Sequence, residues 1–208
     1  LYLAGVTIMV AVPLAALLGV VSALRPGSII DRAATVVGMA GVSIADFWLG
    51  LMLILFFAVN LGWLPTSGFG GPQYVILPAL ALMVRPLGRI SQVIRSSMLD
   101  QLGQPYVTTA RSKGLSERVV VTFHAMKNAA IPALTLVGDE AAALLNGAVV
   151  IETVFGWPGI GLLLIQAIER RDLPLIEACV FAIAVMIIFA NLLIDLAYTF
   201  FDPRIRYS

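Results

Sequence analysis

The chain reads as long apolar runs separated by short, punctuated polar segments, and the runs have the length that a bilayer dictates. A helix needs about 20 mainly apolar residues to cross about 30 Å of hydrocarbon. Five stretches qualify. Residues 3–24 carry no charge and are closed by Arg25-Pro26-Gly27. Residues 34–60 are interrupted by Asp46, which marks a helix break or an interface, and end in Gly62-Trp63-Leu64-Pro65. Residues 74–98 are apolar at first and then carry Arg85 and Arg89, residues 131–155 hold Asp139, Glu140, Asn146 and Glu152, and residues 175–201 contain Glu177, Asn191 and Asp195. These runs are two to three times as long as a barrel strand and do not alternate. They predict an all-α polytopic membrane protein with five transmembrane helices in one domain over 1–208.

Composition agrees. Of 208 residues, 60% are hydrophobic and 12% charged, with a mean hydropathy of +0.99. A soluble globule carries about 25% charged residues, so this chain lacks the polar surface for water. The net charge of +1 leaves no basic excess for nucleic-acid phosphates. Cys179 and His124 stand alone, which excludes a disulfide framework, a CxxC pair and a structural zinc site.

Cytoplasmic loops of membrane proteins are enriched in Lys and Arg. Placing Arg25, Arg32, Arg95, Arg111, Lys113, Arg118, Lys127, Arg204 and Arg206 on one side collects nine of the 13 basic residues there. The C-terminus is then cytoplasmic, and loops 61–73 and 156–174 face outward. Leu1 begins on the outer side of this arrangement, which requires either an outward N-terminus or at least one helix upstream, and the upstream helix is expected.

The segment after the third span is a short helix with explicit stops. Pro105 suits the first helical position, Arg111 and Lys113 fall in the last turn, and Gly114 suits the left-handed position beyond it. Ser116 is then the expected cap of a second helix, with Glu117 in its first turn and Val119, Phe123, Met126 and Ala130 along one side. A helix of about nine residues is marginal alone in water and requires something to hold it.

Thr108-Thr109-Ala110, three residues, Gly114 and then Ile131-Pro132 resemble the EAA loop of membrane subunits of bacterial ATP-binding-cassette importers. The wider run from Tyr106 to Arg118, with His124-Ala125 and Asn128-Ala-Ala-Ile-Pro132, is similar to the dipeptide/oligopeptide/nickel branch, as are Phe155-Gly-Trp-Pro-Gly-Ile-Gly161 and Asp202-Pro203-Arg204. The three blocks occur in order along essentially the whole chain. Thr108 and Thr109 stand where the general pattern has Glu-Ala, so a role for that carboxylate does not carry over. The resemblance implies a type I importer permease fold whose first helix is absent here. It implies a coupling segment at 105–118, with Tyr106, Thr108, Thr109, Ala110, Arg111, Lys113, Gly114, Leu115 and Glu117 meeting an ATPase. The implied partners are a second homologous permease, two cytoplasmic ATPase subunits and an extracytoplasmic solute-binding protein, in a bacterial cytoplasmic membrane.

The only lysines, Lys113 and Lys127, precede Gly114 and Asn128, so no GxxxxGK[ST] phosphate cradle occurs, and neither does GxSxG or HExxH. No catalytic or metal-binding residue is therefore assigned, and ATP and Mg belong to partner subunits.

Ionisable groups inside spans are costly and face a cavity or the bundle interior. Arg85 and Arg89 share a face at i, i+4, and Asp139, Ala143, Asn146 and Val150 form a stripe beside Glu140. Arg85, Arg89, Asp139, Glu140 and Asn146 are read as lining a translocation path for a short peptide or related solute. Snorkelling of the arginines to headgroups, with Asp139 pairing across a subunit interface, is the alternative. Gly156-Trp157-Pro158-Gly159 opens an outer segment, 156–171, too short to span and expected to be re-entrant or interfacial. The resemblance places Trp157, Pro158 and Gly159 in an external gate; the alternative is an interfacial anchor through Trp157. An ion-coupled secondary transporter and a non-transporting scaffold remain as rival functions.

Overall fold

A computed structural model of the chain describes residues 2–201, with side chains for all of these except 145, 146, 194, 195 and 197–201. Every regular element among the described residues is helical. The elements are α1 (Tyr2–Leu24), α2 (Ile29–Ser43), α3 (Asp46–Leu53), α4 (Pro72–Leu102), α5 (Pro105–Ser112), α6 (Glu117–Val119), α7 (Met126–Val154), α8 (Ile160–Arg170) and α9 (Leu173–Phe201). Wide π-helical turns, Ile54–Asn60 and Val120–Ala125, extend α3 and join α6 to α7.

Four helices are long and apolar enough to cross a membrane, or five if α2 and α3 together count as one broken span. The second span expected over 34–60 is broken beside Asp46, where the sequence marked a helix break or an interface. The helix stops at Ile44–Ala45, where Ala45 is extended (φ −69°, ψ 132°), and restarts with Asp46 in the first turn of α3. An acidic residue there complements the positive end of the new helix. The third span also runs beyond its expected end to Leu102, and helix precedes Ile131, so that Pro132 lies inside α7. Proline is tolerated within membrane helices when neighbours satisfy the freed backbone groups.

The chain divides into two compact units, Leu1–Ile8, Ile44–Met83 and Gly138–Ser208 in one, Met9–Ser43 and Val84–Val137 in the other. The first has a core of Leu3, Leu77, Leu82, Leu144, Ile151, Phe155 and Trp157. Phe69 meets the Trp157 indole edge-on, with ring centroids 5.0 Å apart. In the second, Ile90, Ile94 and Met98 of α4 pack with Ala15 and Ala23 of α1 and with Val121, Ala125, Ala129 and Ala133. Small residues set the approach of its helices: a Cβ on Gly88 would lie 2.6 Å from the Cα of Gly38, so α2 and α4 touch backbone to backbone. Such contacts hold membrane helices together where lipid removes the hydrophobic drive for association.

Candidate functional site: a presented helix, two anchored carboxylates and the charges of the spans

Helix α5 begins with Pro105 at its first position, as expected, because proline's missing N–H is not needed there. It ends through Gly114, whose φ of 78° is left-handed. A Cβ at Gly114 would meet nothing within 4 Å, so backbone conformation rather than crowding favours glycine. The amides of Lys113 and Leu115 bond back to the carbonyls of Thr109 (3.1 Å) and Ala110 (3.4 Å), closing the helix end.

One face of α5 is held by the chain itself. Val107 and Ala110 are buried with Val120 and pack on Leu102. The Tyr106 hydroxyl donates to Gln101 Oε1 (2.7 Å) and accepts from Asn128 Nδ2 (3.2 Å), fastening the start of α5 to the ends of α4 and α7. The support that so short a helix requires is thus partly intramolecular. The opposite face, with Thr108, Thr109, Arg111, Lys113 and Leu115, is exposed.

Arg111 does more than complement the helix end. Its guanidinium makes a forked pair with Glu117, Nε to Oε1 at 2.7 Å and Nη2 to Oε2 at 3.3 Å, bracing the Gly114 turn. That contact raises the guanidinium pKa above its already high ordinary value. Ser116 occupies the cap position before Glu117 but makes no side-chain capping bond. The expected stripe of Val119, Phe123, Met126 and Ala130 is not the packed one: Phe123 is 72% exposed, and Val120, Val121, Ala125 and Ala129 are buried instead. A π-helical turn occupies Val120–Ala125 in this stretch, and its wider winding departs from the 3.6-residue spacing on which that stripe rests.

The charges assigned to a path differ in setting. Glu140 is fully buried and its neighbour Asp139 is exposed, as consecutive residues on a helix must diverge. Arg85 is half-buried and Arg89 exposed on α4. The side chain of Asn146 lies outside the described residues. Of the outer-gate residues, Trp157 is 4% exposed, Pro158 is exposed and Gly159 half-buried. A buried indole does not anchor in an interface, so that reading of Trp157 is set aside.

Two carboxylate sites escaped sequence reasoning. At the start of α2, Ser28 Oγ accepts from the Asp31 amide (3.2 Å), and Asp31 Oδ2 accepts from the Gly27 amide (2.8 Å), a variant of the reciprocal capping box. The Arg95 guanidinium closes on the same carboxylate through Nε to Oδ1 and through Nη2 to Oδ2, the latter at 2.8 Å. The spacing Ser28-Ile-Ile-Asp31 before an apolar run was a legible signal for the cap; nothing local indicates Arg95. At the C-terminal end of α7, Glu152 Oε2 accepts from the Gly161 amide (2.8 Å) in the first turn of α8. The three glycines of Gly156-Trp-Pro-Gly-Ile-Gly161 signal a tight turn and close packing without naming the partner.

The family model for "Binding-protein-dependent transport system inner membrane component" matches residues 15–207. The chain belongs to this family. It is 40% identical to the di/tripeptide transport system permease protein DppB of Pseudomonas aeruginosa, over 92% of this chain and 66% of that protein. It is 39% identical to the oligopeptide transport system permease protein AppB of Bacillus subtilis (96% and 65%) and 38% identical to the dipeptide transport system permease protein DppB of Escherichia coli K12 (91% and 65%). The chain thus spans about two thirds of the length of these relatives. The crystal structure of an amino acid ABC transporter with histidines has the same fold, with a TM-score of 0.67 at 20% identity, covering 96% of this chain and 91% of that one. The importer permease fold and the multi-pass, inner-membrane character of this family member follow.

Proposed function

We propose that residues 1–208 form one permease domain of an ATP-driven importer, half of a translocation pathway for short peptides or a related small solute. The observation that carries this reading is α5. A short helix is locked on its inner face by Val107, Ala110 and the Tyr106 hydroxyl, and its outer face is left open. A partner can grip such an element and push α4 and α7 through it, since α5 is tied to both. The relatives named for peptide transport supply the solute class.

In this reading a second homologous permease completes the pathway, two cytoplasmic ATPase subunits bind ATP and Mg and dock on residues 105–118, and a solute-binding protein delivers solute from outside. The C-terminus is cytoplasmic. Hydrolysis belongs to the ATPases, because these 208 residues contain no GxxxxGK[ST] sequence. Asp139, exposed on an apolar membrane helix, faces the pathway or the second permease, since a carboxylate against lipid costs about 2.5–3.5 kcal/mol on insertion scales.

Uptake by the reconstituted complex tests the proposal. Transport sensitive to vanadate and indifferent to proton uncouplers supports it, and the reverse pattern refutes it.

A further inference from the structure

Beside the Glu152 carboxylate lies a cavity of about 220 Å³, lined by Ala148, Val149, Ile160, Gly161, Ile183, Met186 and Ile187 together with Glu152 itself. Glu152 is 6% exposed. One of its oxygens is taken by the Gly161 amide, and the other accepts no hydrogen bond from any described residue. A Cβ on Gly159 would collide with this carboxylate, and one on Gly161 would come within 2.9 Å of Oε2, so the two glycines are what allow α8 to start against it.

A helix start that needed only an acceptor would be served by one oxygen. Here a second acceptor oxygen stands against walls that are otherwise aliphatic. A water's share of liquid is about 30 Å³, so the space exceeds a single-water site. A divalent cation is a poor fit: magnesium or calcium takes about six to eight oxygen ligands, and no group of three His, Cys, Asp or Glu suited to a metal exists among the described residues. What matches one acceptor oxygen with an aliphatic surround is an organic ammonium with a short apolar body.

We infer that the cavity between α7, α8 and α9 is a binding site for a primary ammonium group carrying a small aliphatic moiety, with Glu152 as its counter-ion. Two sources offer this chemistry, the free N-terminus of a short peptide with an apolar first residue and the ethanolamine headgroup of a lipid. The binding itself does not depend on the importer reading and is measured without transport.

The test is thermal unfolding of the purified permease complex titrated with isobutylammonium chloride, against isobutanol as its neutral counterpart and sodium chloride at equal ionic strength. The wild type shows a saturable rise in Tm with isobutylammonium alone. Glu152→Gln keeps an oxygen for the Gly161 amide but lacks the charge, so its apparent affinity is weaker by about ten- to hundredfold. Ala148→Leu fills the cavity with the carboxylate retained and also loses the rise, which keeps the test decisive if Glu152→Gln fails to assemble. Equal rises in wild type and Glu152→Gln, or no saturable rise in the wild type, overturn the site. Competition by Leu-Ala but not by N-acetyl-Leu-Ala assigns it to peptide, and competition by phosphatidylethanolamine but not phosphatidylcholine nanodiscs assigns it to lipid. Failure of both competitors to displace isobutylammonium removes both sources and, with them, the biological claim.

Discussion

The Arg95 guanidinium grips the Asp31 carboxylate through two nitrogens, joining the first turn of α2 to α4 seven residues before α4 ends at Leu102. Because α5 follows after two intervening residues and packs on Leu102, this pair fixes the helix from which the presented segment hangs. Asp31 is nearly buried while Arg95 keeps about a third of its side chain accessible, so removing one partner does more harm than removing both. Arg95→Ala, which leaves the nearly buried carboxylate without its cation, is expected to lower the Tm of the complex at least as much as the double variant Asp31→Ala with Arg95→Ala. A double-mutant cycle on Tm checks this, and strict additivity would show the pair to be uncoupled.

At Gly114 the left-handed backbone decides which residues are tolerated. Asparagine visits that conformation readily and a β-branched residue does not, the left-handed form costing about 1–2 kcal/mol for ordinary L-residues. Gly114→Asn should retain most uptake. Gly114→Val strains the backbone, and Gly114→Asp adopts the conformation but adds a carboxylate three positions from Glu117 on the exposed segment. Both should insert and assemble normally yet lose uptake while hydrolysis persists, read from paired transport and ATPase assays on the same proteoliposomes.

Tyr106→Phe removes one hydroxyl and with it both the Gln101 and the Asn128 bond. These bonds are solvent-accessible, so the loss is about 1 kcal/mol or less. The expected signature, if α5 drives α4 and α7 as proposed, is a small fall in Tm with a larger fall in uptake per ATP hydrolysed, since the bonds join α5 to both helices.

Much of this geometry was legible in the sequence where residues act locally. Pro105 and Gly114 bracket α5 because one lacks an N–H and the other a Cβ, and neither effect needs a distant partner. The five apolar runs were legible because bilayer thickness fixes their length. What failed depended on helix phase or on distance. Val120–Ala125 is a wide π-helical turn with Phe123 exposed, and no proline or glycine within it announces such a turn. The break at Ile44–Ala45 also lacks both residues, but Asp46 in the apolar run marked it, as an acidic residue suits the first turn of a new helix. Arg95 and Asp31 lie 64 positions apart, and Glu152 meets Gly161 only because the intervening loop folds back.

Gly161→Ala places a Cβ 2.9 Å from both Glu152 Oε2 and Val149 Cβ, and closer still to the Val149 backbone. Overpacking of that kind costs about 1–3 kcal/mol. A lower Tm is expected, with faster proteolysis of loop 156–159; an unchanged Tm would mean that α8 can retreat from α7 freely.

For Asp139, substitution by Asn should leave assembly intact and lower kcat/KM for uptake by about tenfold or more, the range expected when a charged hydrogen-bonding group is lost. Substitution by Glu should restore part of it. Unchanged affinity, rate and solute range in Asp139→Asn would remove this residue from the pathway.

The central claim is that ATP hydrolysis on partner subunits drives this permease through residues 105–118. Its most direct test is peptide uptake into proteoliposomes holding the complete complex, with ATP enclosed on the cytoplasmic side, comparing wild type with Gly114→Asp. The account predicts vanadate-sensitive, uncoupler-insensitive uptake in the wild type, and in Gly114→Asp an assembled complex that hydrolyses ATP without uptake. Normal uptake by Gly114→Asp, or wild-type uptake that ignores ATP and collapses with the proton gradient, would contradict it.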